Sequence, residues 1–275
     1  MMASQERPRS ALTIAGSDSG GGAGIQADLK TFAAHRVHGL SAIAALTAQH
    51  TRGVTAVHVP PTGFLRAQID ACFDDFDIGA VKLGMLASSE VIDEVASALA
   101  HYRSRQPALP LVLDPVMVAT SGAKLLQDDA LQALRDTLLP ACTVLTPNLP
   151  EAELLLGRRI DSRAAMHEAA RDLRAMGAEA VLLKGGHLAD GEQVADIFHS
   201  GEDTHEILHP RLQLEAHGTG CTLASAIAAN LCLGLPLREA CQTASDYVHA
   251  ALLGGYRPGR SDTLVLDHFG AAPPR

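Results

Sequence analysis

Leu12-Thr13-Ile14-Ala15-Gly16-Ser17-Asp18-Ser19-Gly20-Gly21-Gly22-Ala23-Gly24 passes from a short apolar run straight into a glycine cluster. A helical pattern follows over residues 23–37. A buried strand, a turn nearly stripped of side chains and a helix together read as the first half of a βα unit. The same punctuation recurs downstream. Residues 41–47, 54–59, 78–83, 111–113, 143–145 and 180–183 read as strands, and residues 62–73, 89–101, 128–139, 149–156 and 162–176 as helices between them. Thr62 is a candidate cap for the first of these. Weaker strands at 194–198 and 206–208 read as an antiparallel edge, and helices at 221–233 and 237–253 nearly finish the chain. Alternation of this kind predicts an α/β fold with a mostly parallel sheet covered by helices on both faces. Ligands in such sheets bind at the carboxyl ends of the strands, where several polar-plus-glycine clusters of this sequence fall.

Composition narrows the class. With 275 residues, 47% of them hydrophobic and 19% charged, the chain can bury a sizeable core. We expect a disordered tail over residues 1–10 and one domain over 11–270. The net charge of -9 and the lack of basic runs give no footprint for nucleic acid or an anionic membrane. Any phosphate must then be handled by backbone amides, helix ends and bound metal. The five cysteines are odd in number and form no Cys-x-x-Cys pair, so neither a disulfide framework nor a zinc site is expected. No apolar stretch reaches the roughly 20 residues of a membrane span. The expectation is a reduced, cytoplasmic protein whose thirteen histidines are scattered over its surface.

The glycine cluster invites a nucleotide reading. Gly22-Ala23-Gly24-Ile25-Gln26-Ala27 satisfies G-x-G-x-x-G/A, but that fingerprint needs an acid about 20 positions on, and no Asp or Glu occurs between Asp28 and Asp70. A dinucleotide oxidoreductase is therefore disfavoured, and with no G-x-x-x-x-G-K-[ST] so is a P-loop nucleotidase. Asp28 shares an inward helix face with Ile25 and Phe32. It either holds a neighbouring loop or hydrogen-bonds a polar ligand.

Near the other end, His217-Gly218-Thr219-Gly220-Cys221-Thr222 opens an Ala- and Ser-rich helix. Such a turn aims several N–H groups and the positive helix end at one point, which suits charge on a transferring phosphoryl group. Cys221 at that helix start is expected to have a lowered thiol pKa; the alternative is a buried, inert cysteine.

These two segments, with Lys82-Leu83-Gly84-Met85, Leu113-Asp114-Pro115-Val116-Met117, Thr146-Pro147-Asn148-Leu149-Pro150-Glu151 and Lys184-Gly185-Gly186-His187, occur in order with compatible spacing. Together they resemble the hydroxymethylpyrimidine/phosphomethylpyrimidine kinases of the ribokinase-like superfamily, over roughly residues 11–255. The resemblance implies a three-layer α/β/α kinase using ATP and Mg2+ to phosphorylate a hydroxymethylpyrimidine, and then its monophosphate, in thiamine biosynthesis. It implies Cys221 as general base and Gly218 and Gly220 as the anion hole. Lys184, Thr219 and Asn148 would meet ATP, and Asn148, Glu151 and Asp114 would hold the metal. Asn148-x-x-Glu151 is also a capping box, Asp114 a turn residue before Pro115, and Lys184 an ordinary strand-end lysine. For the acceptor, Gln49, Asp28, Gly16, Met85 and Val116 are the candidates. Gln49 offers one acceptor and two donors to an aminopyrimidine edge, and Met85 an adaptable apolar wall. Relatives also suggest a homodimer. Two other readings stay open: a pyridoxal/pyridoxine kinase of the same fold, and a catalytically silent binding protein.

Overall fold

The computed structural model describes residues 8–117, 125–127, 129–189, 191–201 and 203–273. In chain order the elements are β1 (Ser10–Gly16), α1 (Gly24–Ala34), β2 (His38–His50), β3 (Gly53–His58), α2 (Thr62–Asp75), β4 (Ile78–Leu83), α3 (Ser89–Arg103), β5 (Leu111–Leu113) and α4 (Ala130–Ala133). There follow β6 (Val144–Leu145), α5 (Leu149–Leu156), α6 (Arg163–Ala175), β7 (Ala180–Leu183), β8 (Gln193–Ser200), β9 (Asp203–Pro210), β10 (Ala216–His217), α7 (Thr219–Cys232), α8 (Leu237–Leu253) and β11 (Leu264–Val265).

The main sheet runs β3-β2-β1-β4-β5-β6-β7-β8-β9. Strands β2 through β7 in that order are parallel, and β3 at one margin and β8–β9 at the other are antiparallel. Successive side chains along a strand point to opposite faces, and the core divides accordingly. Leu12, Val81, Leu113, Leu145 and Leu183 face the layer of α2, α3, α5 and α6. Their neighbours Ala11, Ala80, Val112, Val144 and Leu182 face α1, α7 and α8. The expected ribokinase-like three-layer α/β/α architecture, with its antiparallel edge, is the observed one.

Differences from the sequence reading have local causes. Strand β1 begins at Ser10, inside the range expected as a tail; residues 1–7 lie outside the described ones. Thr62 is the first helical residue of α2 and caps nothing; Pro61 stands before it. The helix expected over 128–139 begins outside the described residues, and after α4 it loosens into a π-turn over Leu134–Leu138 and a short 3-10 turn at Leu139–Ala141. Pro140 there lacks the N–H an α-helix needs. The second antiparallel margin, β3, and the small β10–β11 pair were not expected. Nor are all histidines superficial: His35, His199 and His268 are buried. Among the described residues no helix is long and apolar enough to cross a membrane.

Candidate active site

A cavity of about 400 Å³ opens at the carboxyl ends of the parallel strands. Gly16 at the end of β1, Lys82 on β4, Asp114 after β5, Asn148 after β6 and Lys184 after β7 all line it, as do Gln49, Met85, Val116 and the Gly218–Cys221 turn. The parallel topology thus brings together most of what the sequence singled out. A second cavity of about 320 Å³ adjoins it, sharing Lys184, Gly186, His187, Ala216 and Thr219 and running on toward Leu223, Val248 and Leu252.

The turn before α7 forms the junction. Gly218 has φ +85°, and a Cβ there would overlap the carbonyl oxygen of Gly22 in the glycine cluster. Only glycine fits. The helix starts at Thr219, earlier than expected, so Cys221 lies within its first turn, half-buried on the cavity wall. The expected lowering of its thiol pKa is not found. Burial pushes it up to about 12; Lys82 opposes this, while Asp114 and Asp28 add to it. Desolvation by the cavity wall outweighs the helix end.

Against the same turn, where a Cβ on Gly220 would come within 3.0 Å of it, Lys184 Nζ lies 3.1 Å from Asp114 Oδ1 and 3.9 Å from Glu151 Oε2. Burial works against the ammonium, but the two carboxylates outweigh it and hold its pKa above the usual range. Glu151 is pushed up to about 7, by burial first and the Asp114 charge second, against the pull of Lys184. Both readings of Asn148-x-x-Glu151 meet here. Asn148 Oδ1 accepts from Glu151 N at 2.9 Å and Glu151 Oε2 accepts from Asn148 N at 2.8 Å, a complete capping box that also fixes both side chains at the cavity. Among the described residues no cluster of three or more His, Cys, Asp and Glu is arranged to hold a metal unaided. Asp114 and Glu151 do offer the oxygen donors that suit Mg2+, which ordinarily completes its shell with waters and substrate phosphates.

Asp28 departs from its assigned role. It is fully buried, absent from the cavity lining, and bound on all sides: Lys82 Nζ at 2.9 Å to each oxygen, Thr13 Oγ1 at 2.6 Å and Ser225 Oγ at 2.6 Å. A carboxylate so satisfied has nothing left for a ligand. It ties α1 to β1, β4 and α7 beneath the cavity. Gly16 is where expected, since a Cβ there would come within 2.7 Å of Met85 Sδ. Met85 is buried and Val116 half-buried, both at the cavity.

Three residues went without a role in the sequence reading. Lys82 is fully buried opposite Asp28. Asp18 accepts from the N–H groups of Gly20, Gly22 and Ala23 at 2.8, 2.9 and 2.8 Å and so shapes the glycine cluster. His217 Nε2 lies 3.1 Å from Asp18 Oδ2. Asp followed by glycines is a turn signal of that kind. Nothing in the sequence marked His217 as its partner 199 positions away.

A family model described as phosphomethylpyrimidine kinase matches residues 18–265. A hydroxymethylpyrimidine/phosphomethylpyrimidine kinase of Rhizobium meliloti is 51% identical over 88% of this chain and 90% of its own length. A thiamine biosynthesis bifunctional protein of Geobacter sulfurreducens is 50% identical over 88% of this chain, which spans only 49% of that longer protein. Among solved structures, a phosphomethylpyrimidine kinase of Clostridium difficile is 41% identical with TM-score 0.78, covering 89% of this chain and 99% of its own. A pyridoxal kinase of Staphylococcus aureus, in complex with AMP-PCP and pyridoxal, is 31% identical with TM-score 0.86, covering 96% and 95%.

Proposed function

Because this chain belongs to the phosphomethylpyrimidine kinase family, we propose that it transfers the γ-phosphoryl group of ATP to 4-amino-5-hydroxymethyl-2-methylpyrimidine, and then to the resulting monophosphate, for thiamine biosynthesis. The observation that carries this reading is the junction of two cavities at Lys184 and Thr219. The cavity with Gln49, Met85 and Val116 takes the acceptor, and the neighbouring one, walled by Leu223, Val248 and Leu252, takes the nucleotide.

Phosphoryl transfer leaves little covalent work for the protein; positioning and charge stabilisation dominate. The Gly218–Cys221 turn presents N–H groups to the moving phosphoryl oxygens, and Lys184, beside Gly220, supplies positive charge. Asp114, Glu151 and the Asn148 cap would hold Mg2+ beside them. When bound, the metal neutralises phosphate charge and lines up donor and acceptor. Cys221 receives the proton of the acceptor hydroxyl. At a pKa near 12, about one thiol in 10^5 is ionised at neutral pH, so this role leans on Lys82 and the end of α7 to favour the thiolate as charge develops. Free cysteines throughout the described chain support a reducing cytoplasmic setting. Exposed apolar Leu46 and Val57 at the β2–β3 margin support a homodimer.

Coupled ADP release with purified protein, Mg-ATP and the pyrimidine, beside a pyridoxal control, tests the reading. Turnover on the pyrimidine with diphosphate as end product is expected. Monophosphate alone removes the second step. Turnover on pyridoxal only, the activity named for the structurally similar Staphylococcus aureus protein, moves the chain to vitamin B6 phosphorylation. Tight pyrimidine binding without turnover leaves a binding protein.

A further inference from the structure

The Gln49 side chain stands between two partners whose own bonds dictate which way its amide points. As placed, the amide oxygen lies 3.1 Å from Thr47 Oγ1 and the amide nitrogen 2.9 Å from His217 Nε2, and the partners' own bonds reverse that assignment. Oxygen and nitrogen have the same shape there, so hydrogen bonding alone assigns them.

On the first side, Thr47 Oγ1 is 2.7 Å from the carbonyl oxygen of Ser17. A carbonyl can only accept, so the single hydroxyl proton of Thr47 goes to Ser17. Thr47 Oγ1 is then an acceptor toward Gln49, and the amide atom facing it must be the nitrogen. On the second side, His217 Nε2 is 3.1 Å from Asp18 Oδ2. That carboxylate already accepts from three backbone N–H groups, and it is an acceptor only. The ring nitrogen therefore carries its proton. The Gln49 atom at 2.9 Å can only share that proton, so it is the oxygen. Two independent arguments give one orientation.

We infer that His217, held by Asp18, is a positioning residue that fixes the polarity of the Gln49 amide, and thereby makes the acceptor cavity selective for heterocycles presenting an N–H donor beside a ring-nitrogen acceptor. This deepens, and rests on, the reading of that cavity as the acceptor site. With one lone pair given to His217 and one N–H to Thr47, Gln49 keeps one acceptor and one donor site for the ligand, in a fixed left-right order. An exocyclic amine lies toward His217 and the adjacent ring nitrogen toward Thr47. A ligand lacking the amine leaves the amide oxygen half-used in a partly buried place, where an unmade hydrogen bond is costly.

The test is calorimetric binding of 4-amino-5-hydroxymethyl-2-methylpyrimidine and of its analogue with hydrogen in place of the amine, without nucleotide. The wild-type protein is expected to prefer the amine by about tenfold or more. His217→Ala lets the amide turn and is expected to reduce that preference to about threefold or less. Thr47→Val, which releases the other end while losing the bond to the Ser17 carbonyl, acts in the same direction. His217→Gln, which can place a donor near the Nε2 position, keeps most of the preference. Because a preference is a ratio, a general loss of affinity or fold does not imitate it. Retention of the full preference in both His217→Ala and Thr47→Val overturns the inference. Equal affinity of the wild-type protein for the two pyrimidines overturns it while leaving the acceptor site in place, and binding of neither overturns the acceptor reading together with it.

Discussion

At Cys221 a helix end and a cation pull the thiol toward ionisation, while burial and two carboxylates push it away, and burial wins. A base so placed carries its reactive form only through the reaction itself. Replacing Cys221 by Ala is therefore expected to lower kcat by about 10^2 to 10^4, with the KM for ATP little changed. For the same reason the wild-type rate is expected to climb with pH through the neutral and alkaline range, with no plateau below the thiol's pKa. A flat profile together with surviving turnover in Cys221→Ala would remove Cys221 as the proton acceptor and leave the anion hole to carry the chemistry. Cys221 itself was legible as a residue. Its electrostatic surroundings were not, because Lys82, Asp114 and Asp28 reach it from three other parts of the chain.

Two elements that begin far apart in sequence meet as one device: the glycine cluster before α1 and the turn before α7. Gly218 lies against the Gly22 carbonyl, His217 meets Asp18, and Ser225 of α7 meets Asp28 of α1. Gly218→Ala has to move one segment off the other, both through its positive φ and through the Cβ. We expect kcat to fall by about 10^2 or more, with the fold retained by circular dichroism. Beneath the turn, the Lys82–Asp28 pair is fully buried. Lys82→Met strands the Asp28 charge and is expected to destabilise the protein by about 3–5 kcal/mol in chemical denaturation. Lys82→Met with Asp28→Leu removes both charges and should recover most of that loss. Equal instability of the single and double variants would show that packing, not charge, governs the site. The wrong substrate role for Asp28 has its cause here. Helical spacing shows that an acid points inward but not what awaits it, and Lys82 comes from a strand 54 residues away.

Across the whole molecule, the segment after α8 closes the layer of α1, α7 and α8. His268 is buried there, 3.1 Å from Thr222 Oγ1, and its carbonyl accepts from Tyr247 Oη at 2.9 Å. Burial, helped by the Lys30 charge, lowers its pKa from 6.5 to about 4, and burial lowers that of His35 as well. The folded state thus holds these rings neutral at pH values where the unfolded chain protonates them. Their contribution is complete above about pH 6.5 and is lost as pH falls toward 4, about 3 kcal/mol for His268 when fully titrated. A melting temperature roughly 5 °C lower at pH 5 than at pH 7 is expected, and His268→Gln should flatten that dependence. An unchanged acid sensitivity in His268→Gln would assign it elsewhere. At the other margin, light scattering is expected to give twice the chain's mass, and Val57→Asp to shift it toward monomer.

The layers and the location of the site follow from the order of residues along the chain. Strand and helix periodicity is local, and in a parallel sheet the carboxyl end of every strand faces the same way, so motifs that follow strands must converge. Gly16, Met85, Asp114, Val116, Asn148 and Lys184 follow expected strands and could be placed on that ground, while Cys221 was placed by the family resemblance. Folding was needed to show that Asp28 belongs to a buried ion pair, that His217 and Thr47 orient Gln49, and that the Cys221 thiol is raised and not lowered. Each of those outcomes depends on which polar groups from distant segments share a desolvated volume. Contacts of that kind carry no periodicity, and their energies are set by distance and burial, which exist only once the chain is folded.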